Sequence, residues 1–207
     1  TPADVHKTVS KYMSTLSKMD IEEIELSFFG GSFTGIPMDE QKAFLSVAKR
    51  YKDEGVIQKI HLSTRPDYID CEILDNLKAF GVDTIELGVQ SFAESVLTAS
   101  KRGHSAECVY SSSRLIKEYG FILGIQLMIG LPGDTCELDL YSARETVAIS
   151  PSIARLYPTV VIPDTELHKM FLQGRYCPMQ QEDAIIRTAA MYRILDSAGI
   201  NIIRVGV

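Results

Sequence analysis

The sequence predicts an α/β fold in which parallel βα units curl into an incomplete barrel. Apolar runs of strand length alternate with stretches of helical periodicity, the pattern of parallel strands joined by helices. Short glycine-rich or polar motifs follow five of the strand runs, and in a parallel barrel the loops after the strands all face one mouth. A complete eight-unit barrel takes roughly 250 residues. This chain has 207, opens on a helical pattern and shows six strand candidates. A right-handed series of such units either curls or opens into a doubly wound sheet. The length favours a partial barrel whose first βα unit lies upstream of Thr1.

Thr1, Pro2 and Asp4 read as a cap, a first-turn proline and an early acid. Val5, Val9, Tyr12, Met13 and Leu16 then recur at helical spacing. Ile24 to Leu26 form the first strand candidate, followed by Phe28-Phe29-Gly30-Gly31-Ser32-Phe33. Phe44, Val47 and Tyr51 predict a helix over 39–53 that Gly55 stops. Lys59 to His61 lead into Leu62-Ser63-Thr64-Arg65-Pro66-Asp67. Asp70 caps a short helix through Ile73, Leu74, Leu77 and Phe80, ended by Gly81. Thr84 to Leu87 precede Gly88-Val89-Gln90-Ser91. Ser105 caps a helix that Gly120 closes, and Ile125 to Ile129 run into Gly130-Leu131-Pro132-Gly133-Asp134. Thr135 caps a helix to about Ser150, and Ile153 to Leu156 lead into Tyr157-Pro158-Thr159-Val160. A helix over about 181–198 and a strand over 200–205 complete the chain. No linker, repeat or low-complexity tract interrupts it, so residues 1–207 read as one domain.

Hydrophobic residues make up 45%, with no apolar run of membrane-spanning length and no signal peptide in view. A net charge of −6 argues against a surface that grips polyanions unaided. Cys71, Cys108, Cys136 and Cys177 are far apart and show neither CxxC nor CxxxCxxC spacing. Free thiols of a cytoplasmic protein are expected, with no metal ligand set of their own.

Each motif alone has a plain reading. Gly30-Gly31 serves a turn, or it lets a ligand approach bare backbone. Gly130 to Asp134 form a simple βα turn or a second such approach, and Arg102 and His104 decorate a loop or face a ligand. Gln90 is less ordinary, because it aims a two-headed hydrogen-bonding group from a strand end into the mouth. Glu86 lies within an apolar strand, where an ionised carboxylate needs a partner. An arginine across the lumen is the expected one.

Taken together, the motifs resemble the radical S-adenosylmethionine (SAM) superfamily, and within it the radical SAM module of the elongator catalytic subunit and its bacterial and archaeal relatives. Gly30-Gly31-Ser32 stands where that family has its second-strand glycine motif. The other matching stretches are Thr64 to Tyr68, Glu86 to Ser91, Arg102-Gly103-His104 and the block from Leu156 to Tyr176, the most specific of them. Oxygen-independent coproporphyrinogen III oxidases are a more distant match.

The resemblance implies a partial (β/α)6 TIM-like barrel lacking its first strand here, which binds a [4Fe-4S] cluster and SAM and generates a 5′-deoxyadenosyl radical. It implies that Gly30 and Gly31 take the methionyl amino end of SAM, with Ser32 beside them, and that Arg102 pairs with the carboxylate. Ser63, Gln90 and Gln126 would meet the ribose or nearby polar atoms. Val160, beyond the strand that is sixth once an upstream strand is counted, would lie on the adenine. Ser63 stands where more distant relatives carry a carboxylate. The cluster-binding CxxxCxxC is absent from the sequence and is expected upstream of Thr1, so this segment alone would be inactive. The favoured substrate is the wobble uridine of tRNA, with acetyl-CoA used outside this segment, a flavodoxin or ferredoxin as reductant, a cytoplasmic location and no membrane partner. The alternatives are a coproporphyrinogen-oxidase-like enzyme, a non-radical barrel enzyme for a phosphorylated metabolite, and a cluster-less binding module.

Overall fold

The computed structural model describes residues 1–16 and 21–206. Six strands form one sheet in sequence order: β1 (Glu25–Phe28), β2 (Lys59–Thr64), β3 (Thr84–Gln90), β4 (Ile122–Ile129), β5 (Ile153–Pro158) and β6 (Asn201–Val205). Every neighbouring pair is parallel. Unbroken sequential order among parallel strands is what a right-handed series of βα crossovers produces. Residues from all six strands or the loops after them line one cavity of about 800 Å³, so the sheet curls into a half-barrel around it.

The helices are α1 (Pro2–Leu16), α2 (Met38–Asp53), α3 (Cys71–Ala79), α4 (Glu94–Ala99), α5 (Ala106–Glu118), α6 (Cys136–Ile149), α7 (Glu166–Leu172) and α8 (Gln181–Ser197). Three expected caps are made by side chains. Asp70, Ser105 and Thr135 each accept a hydrogen bond from the backbone N–H three residues on, satisfying donors the first turn leaves free. Two helices, α4 and α7, are additions to the sequence reading. The first is six residues long and opens at Ala93 without a side-chain cap, so nothing local announced it. The second does carry a cap, Thr165 Oγ1 accepting from His168 N.

Each strand sorts its residues by period two. Ile60, Leu62, Ile85, Leu87, Leu123, Ile125, Leu127, Ala154 and Leu156 face the helices and are buried in the core. There they pack with Leu45, Leu77, Val109, Ile116, Met191 and Leu195. The intervening residues, among them Ser63, Glu86, Gly88, Gln126, Met128, Arg155 and Tyr157, line the cavity. Core and site are thus two faces of the same strands.

Candidate functional site in the barrel lumen

The cavity lies at the C-terminal ends of the strands and reaches into the lumen. All eight residues singled out in the sequence line it: Gly30, Gly31, Ser32, Ser63, Gln90, Arg102, Gln126 and Val160. Four of the five strand-end motifs contribute. Gly130 to Asp134 turn away instead. Asp134 accepts from Gly130 N and Thr135 N at 2.9 Å each, Tyr176 donates to Gly130 O at 2.7 Å, and Met179 fills the space beside Gly130. That motif is a packed turn.

Gly30 has φ +101°, a conformation for glycine. A Cβ added at Gly30 or Gly31 would meet nothing within 4 Å. The backbone here therefore borders open cavity, and no neighbouring side chain explains the glycines.

Gln90 is also held in an unusual state. Its φ is +69°, and Ser91 N bonds to Val89 O at 2.9 Å, a tight turn with the positive φ that side chains disfavour. The β3–β4 register breaks at the same place. Gly88 has no side chain to block the Gln90 amide, whose Nε2 lies 2.9 Å from where a Cβ would be. Gln90 is 7% exposed, and its Oε1 has no partner. Strain joined to an unsatisfied acceptor is the signature of a site shaped for something other than stability.

Arg102 shows the same imbalance in charge. Its Nη2 donates to Met128 Sδ at 2.8 Å, its buried Nε has no partner, and no carboxylate lies within 4 Å of it among the described residues. Burial, with the nearby Arg65 charge, pulls its pKa below the usual guanidinium value. Next to it, His104 is 9% exposed and joins Nε2 to Val89 O at 3.1 Å, leaving Nδ1 without a partner. Burial lowers the His104 pKa against the Val89 bond, so the ring is held neutral. Donating from Nε2 then makes Nδ1 an acceptor. A part-buried cation and two orphaned acceptors within one cavity fit a ligand that carries an anionic group and N–H or O–H donors.

On the lumen floor, by contrast, the charged groups are paired. Arg155 donates from Nε to Glu86 Oε2 at 2.7 Å and from Nη1 to Tyr157 at 3.2 Å. This is the arginine partner expected for Glu86. His61 is 1% exposed, joins Nδ1 to Glu25 Oε1 at 2.9 Å, and brings Nε2 to 3.5 Å from Glu86. The longer contact is one of charge rather than a directed bond. Burial lowers the His61 pKa, but the two carboxylates outweigh it and the net shift is upward.

Residues that sequence reasoning gave no site role also line the cavity: Phe29, Arg65, Arg155, Tyr157 and Arg204. The signal available for Arg155 and Tyr157 was their alternation with buried Ala154 and Leu156, which points both into the lumen. The described residues contain no group of three or more His, Cys, Asp or Glu side chains able to hold a metal. The four thiols are free; three stand on the separate helices α3, α5 and α6, and Cys177 lies in the loop before α8.

A family model for the radical SAM superfamily matches residues 6–139, and one for the radical SAM C-terminal domain matches residues 151–207. The tRNA uridine(34) acetyltransferase of Methanocaldococcus jannaschii is 32% identical over 186 residues, covering 79% of this chain and 34% of the relative. Elongator complex protein 3 of Bos taurus is 29% identical over 185 residues, covering 80% of this chain and 34% of the relative. The chain thus spans about a third of the length of these curated relatives. Among solved structures, the archaeal Methanocaldococcus infernus Elp3 with an N-terminal deletion superposes with a TM-score of 0.86 at 26% identity, over 98% of this chain and 52% of that one. The half-barrel, the glycine-edged cavity and a family match across most of the sequence agree: the chain belongs to the radical SAM superfamily.

Proposed function

We propose that the cavity binds SAM and that the enzyme built on this chain modifies the wobble uridine of tRNA. The single observation that carries the cofactor reading is Arg102, a part-buried guanidinium in the cavity whose buried Nε has no partner and which has no carboxylate within 4 Å among the described residues. An amino-acid carboxylate would compensate it, and a planar fork suits that contact. In this reading Gly30 and Gly31 receive the methionyl amino end against bare backbone, and Ser32 lies beside it. Ser63, Gln90 and Gln126 take ribose hydroxyls, which would satisfy the orphaned Gln90 Oε1. Val160, 56% exposed, offers an apolar surface to adenine. SAM, when bound, supplies the radical chemistry of the superfamily. The chain's own residues bind it, orient it and exclude water.

The cysteines of this chain do not fit a [4Fe-4S] cluster, being dispersed over three helices and a loop. We therefore assign the cluster ligands to sequence outside residues 1–207, in a longer protein of which this chain is the radical SAM core. The acetyl-CoA site, the surface met by a flavodoxin or ferredoxin and much of the tRNA grip are assigned there too. The greater length of the relatives supports this, as does the acidic balance of the chain. Four free thiols suit a reducing, cytoplasmic setting. Among the described residues no helix is long and apolar enough to cross a membrane.

The relatives' names support the substrate. The test is to incubate the cluster-loaded full-length enzyme with SAM, reductant, acetyl-CoA and unmodified tRNA. We expect 5′-deoxyadenosine to form faster with tRNA than without it, and a carboxymethyl-type uridine to appear. Equal rates and unmodified tRNA overturn the substrate while leaving the family assignment standing.

A further inference from the structure

We propose that Phe29, Arg155, Tyr157 and Arg204 form a nucleotide-binding wall of the lumen, which stacks an extruded base and holds its phosphate. The proposal rests on the RNA-modifying reading above and names the part of the cavity that would receive the substrate.

These four side chains alternate aromatic ring and guanidinium. Arg155 lies over the Phe29 ring at 4.4 Å and donates to the Tyr157 hydroxyl at 3.2 Å, and Arg204 lies over the Tyr157 ring at 6.0 Å. They come from the end of β1, from β5 and from β6, so only the curled sheet brings them together.

Phe29 is the anomaly that asks for a ligand. Its neighbours Phe28 and Phe33 pack with Phe44 on the helix side, whereas Phe29 turns into the lumen and remains 48% exposed. Bases stack on aromatic faces and guanidinium planes, and a half-covered ring backed by Arg155 is such a platform. The two arginines play different parts. Arg155 is compensated by Glu86 at 2.7 Å, so it offers a plane rather than a free charge. Arg204 has no carboxylate within 4 Å among the described residues, and its Nε reaches only Gly206 O, at 3.4 Å. One uncompensated exposed cation beside a stacking surface suits one phosphate.

The wall is also separate from the Arg102 end of the cavity. The Arg102 guanidinium donates to Met128 Sδ on β4, whereas Arg204 lies on β6, with β5 between the two strands. The cavity of about 800 Å³ lies toward the upper end of the usual pocket range, and on this wall it is bordered by the exposed Phe29 and Arg204.

The experiment measures equilibrium binding of an anticodon stem–loop RNA, with uridine or an abasic residue at the wobble position, to the cluster-loaded full-length enzyme. Wild type should prefer the uridine hairpin by about tenfold, the scale of one lost base stack. Phe29→Leu should remove most of that preference while SAM affinity stays within about twofold, which also shows that the variant is folded. Arg204→Gln, at an exposed position on β6, should weaken both hairpins alike by about three- to tenfold and flatten the salt dependence by about one phosphate contact. An undiminished uridine preference in Phe29→Leu overturns the stacking wall, and wild-type RNA affinity in Arg204→Gln overturns the phosphate grip. Either result leaves the RNA reading intact. Failure of the wild-type enzyme to bind either hairpin, with SAM bound normally, overturns the RNA reading and the wall with it.

Discussion

Arg155 on β5 bonds to Glu86 on β3 at 2.7 Å, although β4 runs between the two strands. Gly124 of β4 makes this reach possible. It pairs in register with Glu86 on one side and Ile153 on the other. A Cβ there would stand 3.2 Å from Glu86 Cγ and 2.9 Å from Ile153 Cγ1. Gly124→Ala should therefore lower stability by about 1–3 kcal/mol, the usual range for overpacking. Thermal unfolding measures it, and an unchanged Tm would show that the lumen can give way.

Removing the carboxylate should be worse. Glu86 is 1% exposed and faces both Arg155 and His61. Glu86→Ala strands the Arg155 guanidinium and removes one of the two carboxylates beside His61, and should destabilise by about 3–5 kcal/mol. Glu86→Gln should fall between this variant and wild type in the same denaturation series, because an acceptor remains.

Arg102 opposes stability to function. Its part-buried charge has no counterion among the described residues, so Arg102→Met should stabilise the ligand-free chain by about 1 kcal/mol. In the cluster-loaded full-length enzyme, Arg102→Ala should weaken SAM binding by about 1.5–3 kcal/mol, the worth of a charge-assisted hydrogen bond. Calorimetric titration decides it. Unchanged SAM affinity would reduce Arg102 to a structural loop residue.

Gln90→Gly should release the strain of a positive φ, of the order of 1 kcal/mol, while deleting the amide that faces the cavity. The expected outcome is an equal or higher Tm together with weaker SAM binding. A lower Tm would mean that the side chain is held in place for the fold.

The two lumen histidines should titrate in opposite senses. His61 has a folded pKa above the ordinary 6.5, so the folded state binds its proton more tightly than the unfolded state does. That contribution is fully present below pH 6.5 and is lost as pH rises through the raised folded value. His104 has a lowered folded pKa, so its neutral form contributes most above pH 6.5 and stability falls as pH drops below that point. Imidazole NMR titration should separate the two rings. His61→Gln should remove the loss on the alkaline side and leave the acidic-side loss in place.

Local signals carried much of this architecture. Asp70, Ser105 and Thr135 were legible as caps because a cap involves only residues three apart, and each makes its bond. The strand candidates and the long helices were legible from periodicity, which reports the face each residue turns to the core. The short helix α4 was not, since Ala93 supplies no capping side chain. For the site, the glycine, glutamine and arginine positions after β1 and β3 were visible as motifs, because a strand end that must meet a ligand departs from ordinary turn chemistry. What the sequence could not show is which of these residues would lack a partner. The orphaned Gln90 Oε1 and Arg102 Nε, the pairing of Glu86 with Arg155 and the alternation of Phe29, Arg155, Tyr157 and Arg204 join residues up to 175 positions apart (29 to 204). The sequence on its own marked the strand ends and eight of the residues that line the lumen, but not Phe29 or Arg204. Only the curl of the sheet decided which of them meet there, because contact across a barrel depends on strand order, register and twist rather than on neighbours along the chain.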